Sequence, residues 1–262
     1  MNLLDLTRSE LEQLCVENGQ PKFRARQLTK WVHNKGVQDF AKMTDIQSSF
    51  RDYLSRKLSV HIPEIIRSTK SADGAEKWLF KLQSGEVVES VIIPEGGRTT
   101  ACVSSQVGCA VDCSFCATGH QGFSRNLSLG EMLGQVWAIN YLSNAGRVTN
   151  VVLMGMGEPL LNYSNLKEFL KYLLLDAAYG LSRRKVTVST SGIVPFIDRL
   201  RVDCPVSLAI SLHAASNELR NKLVPINRKY PLEQLMRACR DYQDGAPRKF
   251  ITFEVVLLDG VN

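Results

Sequence analysis

Apolar positions in the first sixty residues recur at helical spacing. In LLDLTRSELEQLCVEN they fall at Leu4, Leu11, Leu14 and Cys15, the stripe of an amphipathic helix. PKFRARQLTKWVHN opens on Pro21, a residue suited to a first helical turn. Its Phe23, Leu28 and Trp31 read as a buried stripe, while Lys22, Arg24, Arg26 and Lys30 between them suit a phosphate backbone. From Glu64 to Pro94 the period shortens to two. EKWLFKL alternates Trp78, Phe80 and Leu82, Ser84-Gly85 marks a turn, and EVVESVIIP follows, which predicts a β-hairpin. On pattern alone, Glu89 is a charge on the solvent face of that hairpin.

Beyond residue 97 the pattern becomes an alternation. TTACVSS, NVVLM, KVTVST, PVSLAIS and FITFEVVLL read as five strands. Between them SLGEMLGQVWAINYLS, NLKEFLKYLLL, IVPFIDRLR and PLEQLMRACRDY read as helices. Ser128 and Glu131 have capping-box spacing at the start of the first. NVVLM is apolar throughout, as a strand covered on both faces should be. Such an alternation predicts an α/β chain whose parallel strands are joined by right-handed crossovers. No GxGxxG opens the first unit, which argues against a Rossmann dinucleotide site. The chain divides into a helical domain at 1–64, a β-hairpin extension at 65–96 and a βα core at 97–262. In a barrel-like array the chemistry gathers at the C-terminal ends of the strands. There the first strand leads to three cysteines, the second to GMGEP, the third to STSG and the fourth to SLHA.

Composition narrows the class. At 262 residues, 44% hydrophobic and 22% charged, the chain is an ordinary globular protein. It has no apolar run of the roughly 18 residues that span a bilayer and no secretory signal at its start. A cytoplasmic location is expected, where seven cysteines are thiols, metal ligands or catalytic groups rather than disulfides. Net charge is +6, and Leu181 to Lys249 holds 13 Lys/Arg against 6 Asp/Glu. That surplus suits a nucleic acid or a merely solvated basic surface.

Cys109, Cys113 and Cys116 stand in the pattern C-x3-C-x2-C. With His120 they could close a structural Cys3His zinc site. Alternatively, three thiolates can hold three irons of a cubane and leave the fourth iron open to a ligand. This motif, with Phe115 before its last cysteine, resembles that of the radical S-adenosylmethionine (SAM) superfamily. CVSSQVGCAVDCSFCATGHQGFSRNL, GMGEPLLNY, STSGIVP and SLHA together resemble, in order and spacing, the RlmN/Cfr family of RNA adenosine methyltransferases. Pro159 after the Glu is similar to the RlmN branch.

The resemblance implies an incomplete (β/α)6-type partial barrel of about five strands, carrying a [4Fe–4S] cluster on Cys109, Cys113 and Cys116 and SAM on its open iron. It implies SAM contacts at Gly157, Glu158, Ser189, Ser211, Leu212 and His213. It makes Glu89 a proton acceptor and Cys102 the thiol that pairs with a methyl-carrying cysteine. In the implied chemistry, a 5′-deoxyadenosyl radical takes hydrogen from an S-methylcysteine, and the carbon radical adds to C2 of an adenine. The implied substrates are 23S rRNA at the peptidyl-transferase centre and tRNA beside the anticodon. A flavodoxin-type reductant is the implied electron donor, and the protein is expected to be a monomer. Taken singly, Gly157 could be a tight turn, Glu158 a helix-start charge, His213 a structural histidine and the two serines strand-end polar groups. Cys15, Cys204 and Cys239 read as buried small hydrophobes. No cysteine follows Cys239, whereas the family's methyl-carrying cysteine lies near its C-terminus. The expectation is therefore of a truncated chain that assembles the cluster but does not complete methyl transfer.

Overall fold

The computed structural model describes residues 1–262. Its first part is helical: α1 (Arg8–Glu17), α2 (Phe23–Thr29) and α3 (Ser48–Lys57), with a π turn at Lys30–Asn34. Thr7 caps α1, accepting from the Glu10 N–H while Glu10 answers its backbone, a reciprocal arrangement that satisfies two otherwise orphaned donors. These elements bury fourteen apolar residues of their own, among them Leu11, Cys15, Leu28, Phe50 and Leu54. The expected stripe of α2 is only partly buried: Leu28 is inside and Trp31 half-buried, but Phe23 is 57% exposed. The helix turns its Ala25–Leu28–Thr29 face inward, which leaves Phe23 on the opposite side.

Next come β1 (Glu64–Lys70), β2 (Glu76–Lys81), β3 (Val87–Glu95) and β4 (Arg98–Cys102), successively antiparallel. The segment expected as a hairpin is thus a three-stranded meander. It is continuous with the core because β3 pairs onto β4. β5 (Gln106–Gly108), α4 (Ala117–His120) and β6 (Phe123–Asn126) enclose the cysteine loop, with β5 and β6 pairing as a small ribbon.

The remaining order is α5 (Leu129–Leu142), β7 (Asn150–Leu153), α6 (Tyr163–Leu174), β8 (Val186–Thr190), α7 (Val194–Asp203), β9 (Ser207–Ser211), α8 (Asn217–Leu223), α9 (Leu232–Gly245) and β10 (Thr252–Glu254). The sheet order is β1-β2-β3-β4-β7-β8-β9-β10. Its last five members, β4, β7, β8, β9 and β10, are parallel, the number the sequence predicts. The capping box of Ser128 and Glu131 is formed at the start of α5. Two features depart from expectation. The fifth parallel strand is only three residues long, and α8 intervenes in a stretch that shows no apolar stripe.

The main core of forty buried residues lies between one sheet face and the helices, from Trp78 and Phe80 through Leu133, Phe169 and Leu208 to Tyr242. The helical domain is pinned to it. Asp5 accepts from the Gly130 N–H in the first turn of α5 at 2.7 Å, where the helix dipole favours a carboxylate. Trp137 and Tyr141 donate to the carbonyls of Val32 and His33. No helix is long and apolar enough to cross a membrane.

Candidate active site

The C-terminal strand ends open into one cleft. It is lined by Cys109, Cys113 and Cys116, then by Met154, Gly157 and Glu158 after β7, Ser189 to Ser191 at the end of β8, Ser211 and His213 at the end of β9, and Glu254 of β10. Eight of the eleven residues predicted for the site therefore meet in one place.

The cysteine loop is held by its own backbone and by α8. Cys109 N–H donates to Gly122 O, Cys116 N–H to Cys113 O, and Ser114 N–H to Leu223 O, all within 3.1 Å. Val111 packs with Ala214, Leu223 and Val224, and Phe115 lies against the same group. Gly108, at φ +71°, is obligatory, since a Cβ there would sit 1.7 Å from Gly122 O. Burial raises the Cys109 thiol above its ordinary range and pushes Cys113 up to about 12, with mutual thiolate repulsion adding to both. These thiols keep their protons until a cation displaces them.

Glu158 is 3% exposed. It accepts from Ser191 N–H and Ser191 Oγ at 2.7 Å each and from Leu160 N–H at 3.1 Å. Burial raises its pKa against the pull of these bonds. Its own N–H donates to Gln106 Oε1 at 2.8 Å, tying the loop after β7 to the cysteine ribbon. Gly157 lies against the same Gln106.

Ser189 and Ser211 both donate to Glu254 Oε2, at 3.1 and 3.2 Å. His213 Nδ1 accepts from Val256 N–H at 3.1 Å, which puts the proton of the neutral ring on Nε2. Burial, then the charge of Arg220, holds its pKa below the usual histidine value. The only non-glycine residues with positive φ are Asp112 (+55°) and His213 (+60°). Both stand on loops of this cleft, the kind of place where backbone strain is retained.

Three predicted residues are not in the cleft lining. Leu212 contributes backbone: its N–H donates to Glu254 O and its carbonyl accepts from Arg220 Nε. Cys102 is on β4, half-buried, with its thiol pushed up to about 11 chiefly by desolvation. Glu89 is on β3 and pairs with Lys77 Nζ at 3.2 Å on a half-exposed surface. Register nonetheless places both on the sheet face turned toward the cleft. Val91, two residues from Glu89, pairs with Cys102, Cys102 with Val152, Val152 with Thr187, and Ser211 with Glu254. Gln106 and Glu254 were not singled out by sequence. Glu254 carried a signal, because a carboxylate interrupts the apolar run FITFEVVLL just as Glu89 interrupts its own.

Three thiols and a ring of hydroxyls, carboxylates and an imidazole on one cleft fit a cluster that keeps one iron for a small polar ligand. They do not fit the Cys3His zinc reading. His120 ends α4 on the exposed surface and is outside the cleft lining.

Helical domain, parallel partial barrel and three-cysteine cleft define a radical SAM enzyme, and residues 103–262 match the Radical SAM superfamily. Residues 1–60 match the ribosomal RNA large subunit methyltransferase N-terminal domain. A crystal structure of a radical SAM methyltransferase from Sphaerobacter thermophilus is similar over 100% of this chain and 78% of that one, at 44% identity and a TM-score of 0.91. The chain belongs to the RlmN/Cfr family of radical SAM methyltransferases. Membership implies a [4Fe–4S] cluster and SAM as its cofactors, and a family that acts on RNA.

Proposed function

We propose that this protein methylates C2 of adenine in 23S rRNA and in tRNA beside the anticodon, with Cys109, Cys113 and Cys116 holding the cluster. The observation that carries this reading is the single cleft joining those thiols to Gly157, Glu158, Ser189, Ser211 and His213, behind an N-terminal domain of the ribosomal RNA methyltransferase kind. The cluster and SAM together supply a carbon-centred radical; the rest is the chain's part. Gly157 presents backbone close to the ligand, because nothing bulkier than hydrogen fits against Gln106. Ser189, Ser211 and Glu254 form a hydrogen-bonding group suited to an ammonium or ribose hydroxyls. His213 offers a neutral N–H donor. Glu89, open to solvent on the cleft-facing side of the sheet, is the proton acceptor, and Cys102 is the thiol that pairs with a methyl-carrying cysteine. We further propose a flavodoxin-type reductant, a monomer, and the domain division 1–64, 65–96 and 97–262.

Anaerobic reconstitution tests the first part. Four irons per chain and 5′-deoxyadenosine on reduction with SAM are expected; stoichiometric zinc without SAM cleavage would sink the reading. With the family's methyl-carrying cysteine present in the polypeptide, digests of 23S rRNA and tRNA should contain 2-methyladenosine. A methyl group at another adenine position would refute the substrate assignment alone.

A further inference from the structure

Arg220, on α8, is the largest fully buried side chain of the protein, at 0% exposure. Every partner it has is neutral. Nε donates to Leu212 O at 3.0 Å, one terminal nitrogen to Asn227 Oδ1 at 2.8 Å, and the other to Ser191 O at 2.6 Å and Ser211 O at 3.1 Å. It takes part in none of the protein's eight ion pairs. Glu158 stops one residue short, spending its oxygens on Ser191 N–H, Ser191 Oγ and Leu160 N–H. A buried charge without a counter-ion is costly, and the cost asks what stands opposite.

What stands opposite is the cysteine loop. Three residues along α8 from Arg220, Leu223 accepts the Ser114 N–H, between Cys113 and Cys116. Leu223 and Val224 pack on Val111, Cys109, Cys113 and Phe115. Three of the same four hydrogen bonds clamp the carbonyls of Ser191, Ser211 and Leu212 at the ends of β8 and β9, from which Ser189, Ser211 and His213 project.

We propose that Arg220 is the built-in counter-charge of the iron–sulfur cluster, a positioning residue that also makes the cluster easier to reduce. A cubane on three thiolates carries net negative charge, and reduction adds one more electron. A fixed cation behind it stabilises the reduced state most, so its removal lowers the reduction potential. The inference rests on the cluster being held by Cys109, Cys113 and Cys116.

The test is a reductive titration of the reconstituted protein read by electron paramagnetic resonance, with iron counted in each sample. Arg220→Met removes the charge and keeps the length; Arg220→Lys keeps the charge and loses the fork. At four irons per chain, Arg220→Met is expected to lower the equilibrium constant for reduction at least tenfold, about 59 mV for a one-electron couple. Arg220→Lys is expected to lower it less than threefold. An unchanged potential in Arg220→Met, or equal drops in both variants, would overturn the proposal and leave Arg220 a strut. Should Arg220→Met not fold, Asn227→Asp sets a carboxylate on the guanidinium with Arg220 in place. A tenfold drop is expected there too, and no drop would likewise overturn it. Absence of a four-iron cluster in the unsubstituted protein removes the assignment of the cysteines and this inference with it, and is recognised by the iron count alone.

Discussion

Gly157 has φ +96°, and a Cβ built on it would lie 2.4 Å from Gln106 Cβ. Both facts forbid a side chain, because the left-handed region is costly for L residues and Gln106 cannot retreat. It is held by the Glu158 N–H on one side and Asn126 on the other. Gly157→Ala should therefore push the loop after β7 away from the cysteine ribbon. The expected result is a loss of about 1–3 kcal/mol in unfolding free energy together with at least tenfold weaker SAM binding, measured by calorimetry on the reconstituted protein. Unchanged SAM affinity would show that the loop does not meet the ligand. Individual site residues were legible in sequence to the extent that they sat in motifs. Gly157, Glu158 and the cysteines did. Arg220 did not, because in NELRNKL it looks like one polar residue among several on an exposed helix, and its burial is decided by carbonyls from two distant strands.

At the scale of elements, the docking of the helical domain turns on His33. The ring is fully enclosed between Tyr172 and Tyr179, at centroid distances of 4.9 and 5.5 Å, and burial pushes its pKa down to about 3. The folded chain thus keeps His33 neutral, whereas the unfolded chain takes up a proton near pH 6.5. The unfolded state binds more protons below that point, so stability falls as pH falls from 6.5 and levels off near 3, by about 1.4 kcal/mol per pH unit. At pH 5 the loss is about 2 kcal/mol on the same basis. His33→Phe keeps the ring and removes the titration, so urea unfolding at pH 7 and pH 5 should show that loss in the natural protein and not in the variant; parallel losses would refute it. Asp5→Ala should cost about 1 kcal/mol at neutral pH by taking the carboxylate away from the Gly130 N–H in the first turn of α5, seen as a lower melting temperature. Periodicity foresaw the helices on both sides of this joint. It could not foresee the joint itself, which consists of side-chain bonds to backbone across more than a hundred residues.

At the scale of the whole molecule, the five parallel strands were legible because each apolar run is punctuated by polar rim residues. The continuity of the meander with them was not, since pairing partners leave no mark on a single strand. Charge is where sequence and structure part most usefully. The basic surplus between Leu181 and Lys249 suggested a nucleic-acid surface, yet one of its members, Arg220, is buried. Others, Arg183, Arg184 and Lys185 before β8 and Arg248 and Lys249 before β10, stand at the N-terminal ends of the strands, opposite the cleft. Arg184 and Arg248 are moreover engaged with the carbonyls of Pro247 and Arg184. On the proposed function, an RNA that delivers an adenine to the cleft would approach the other rim. Phe23, on the helical domain, is an exposed aromatic with Lys22 before it and the Arg24 guanidinium 5.0 Å from its ring centre, and exposed aromatics beside cations are surfaces on which unpaired bases can stack. Binding of tRNA followed by fluorescence anisotropy across salt concentrations separates the two surfaces. Arg184→Glu with Arg248→Glu should change the slope of log affinity against log salt by less than one phosphate contact. Phe23→Ala, which removes nothing from the core, should weaken binding by about 1–3 kcal/mol with the slope unchanged. If the double reversal abolishes binding and Phe23→Ala does not weaken it, the RNA path runs over the strands' N-terminal rim and the approach argued from the cleft is wrong.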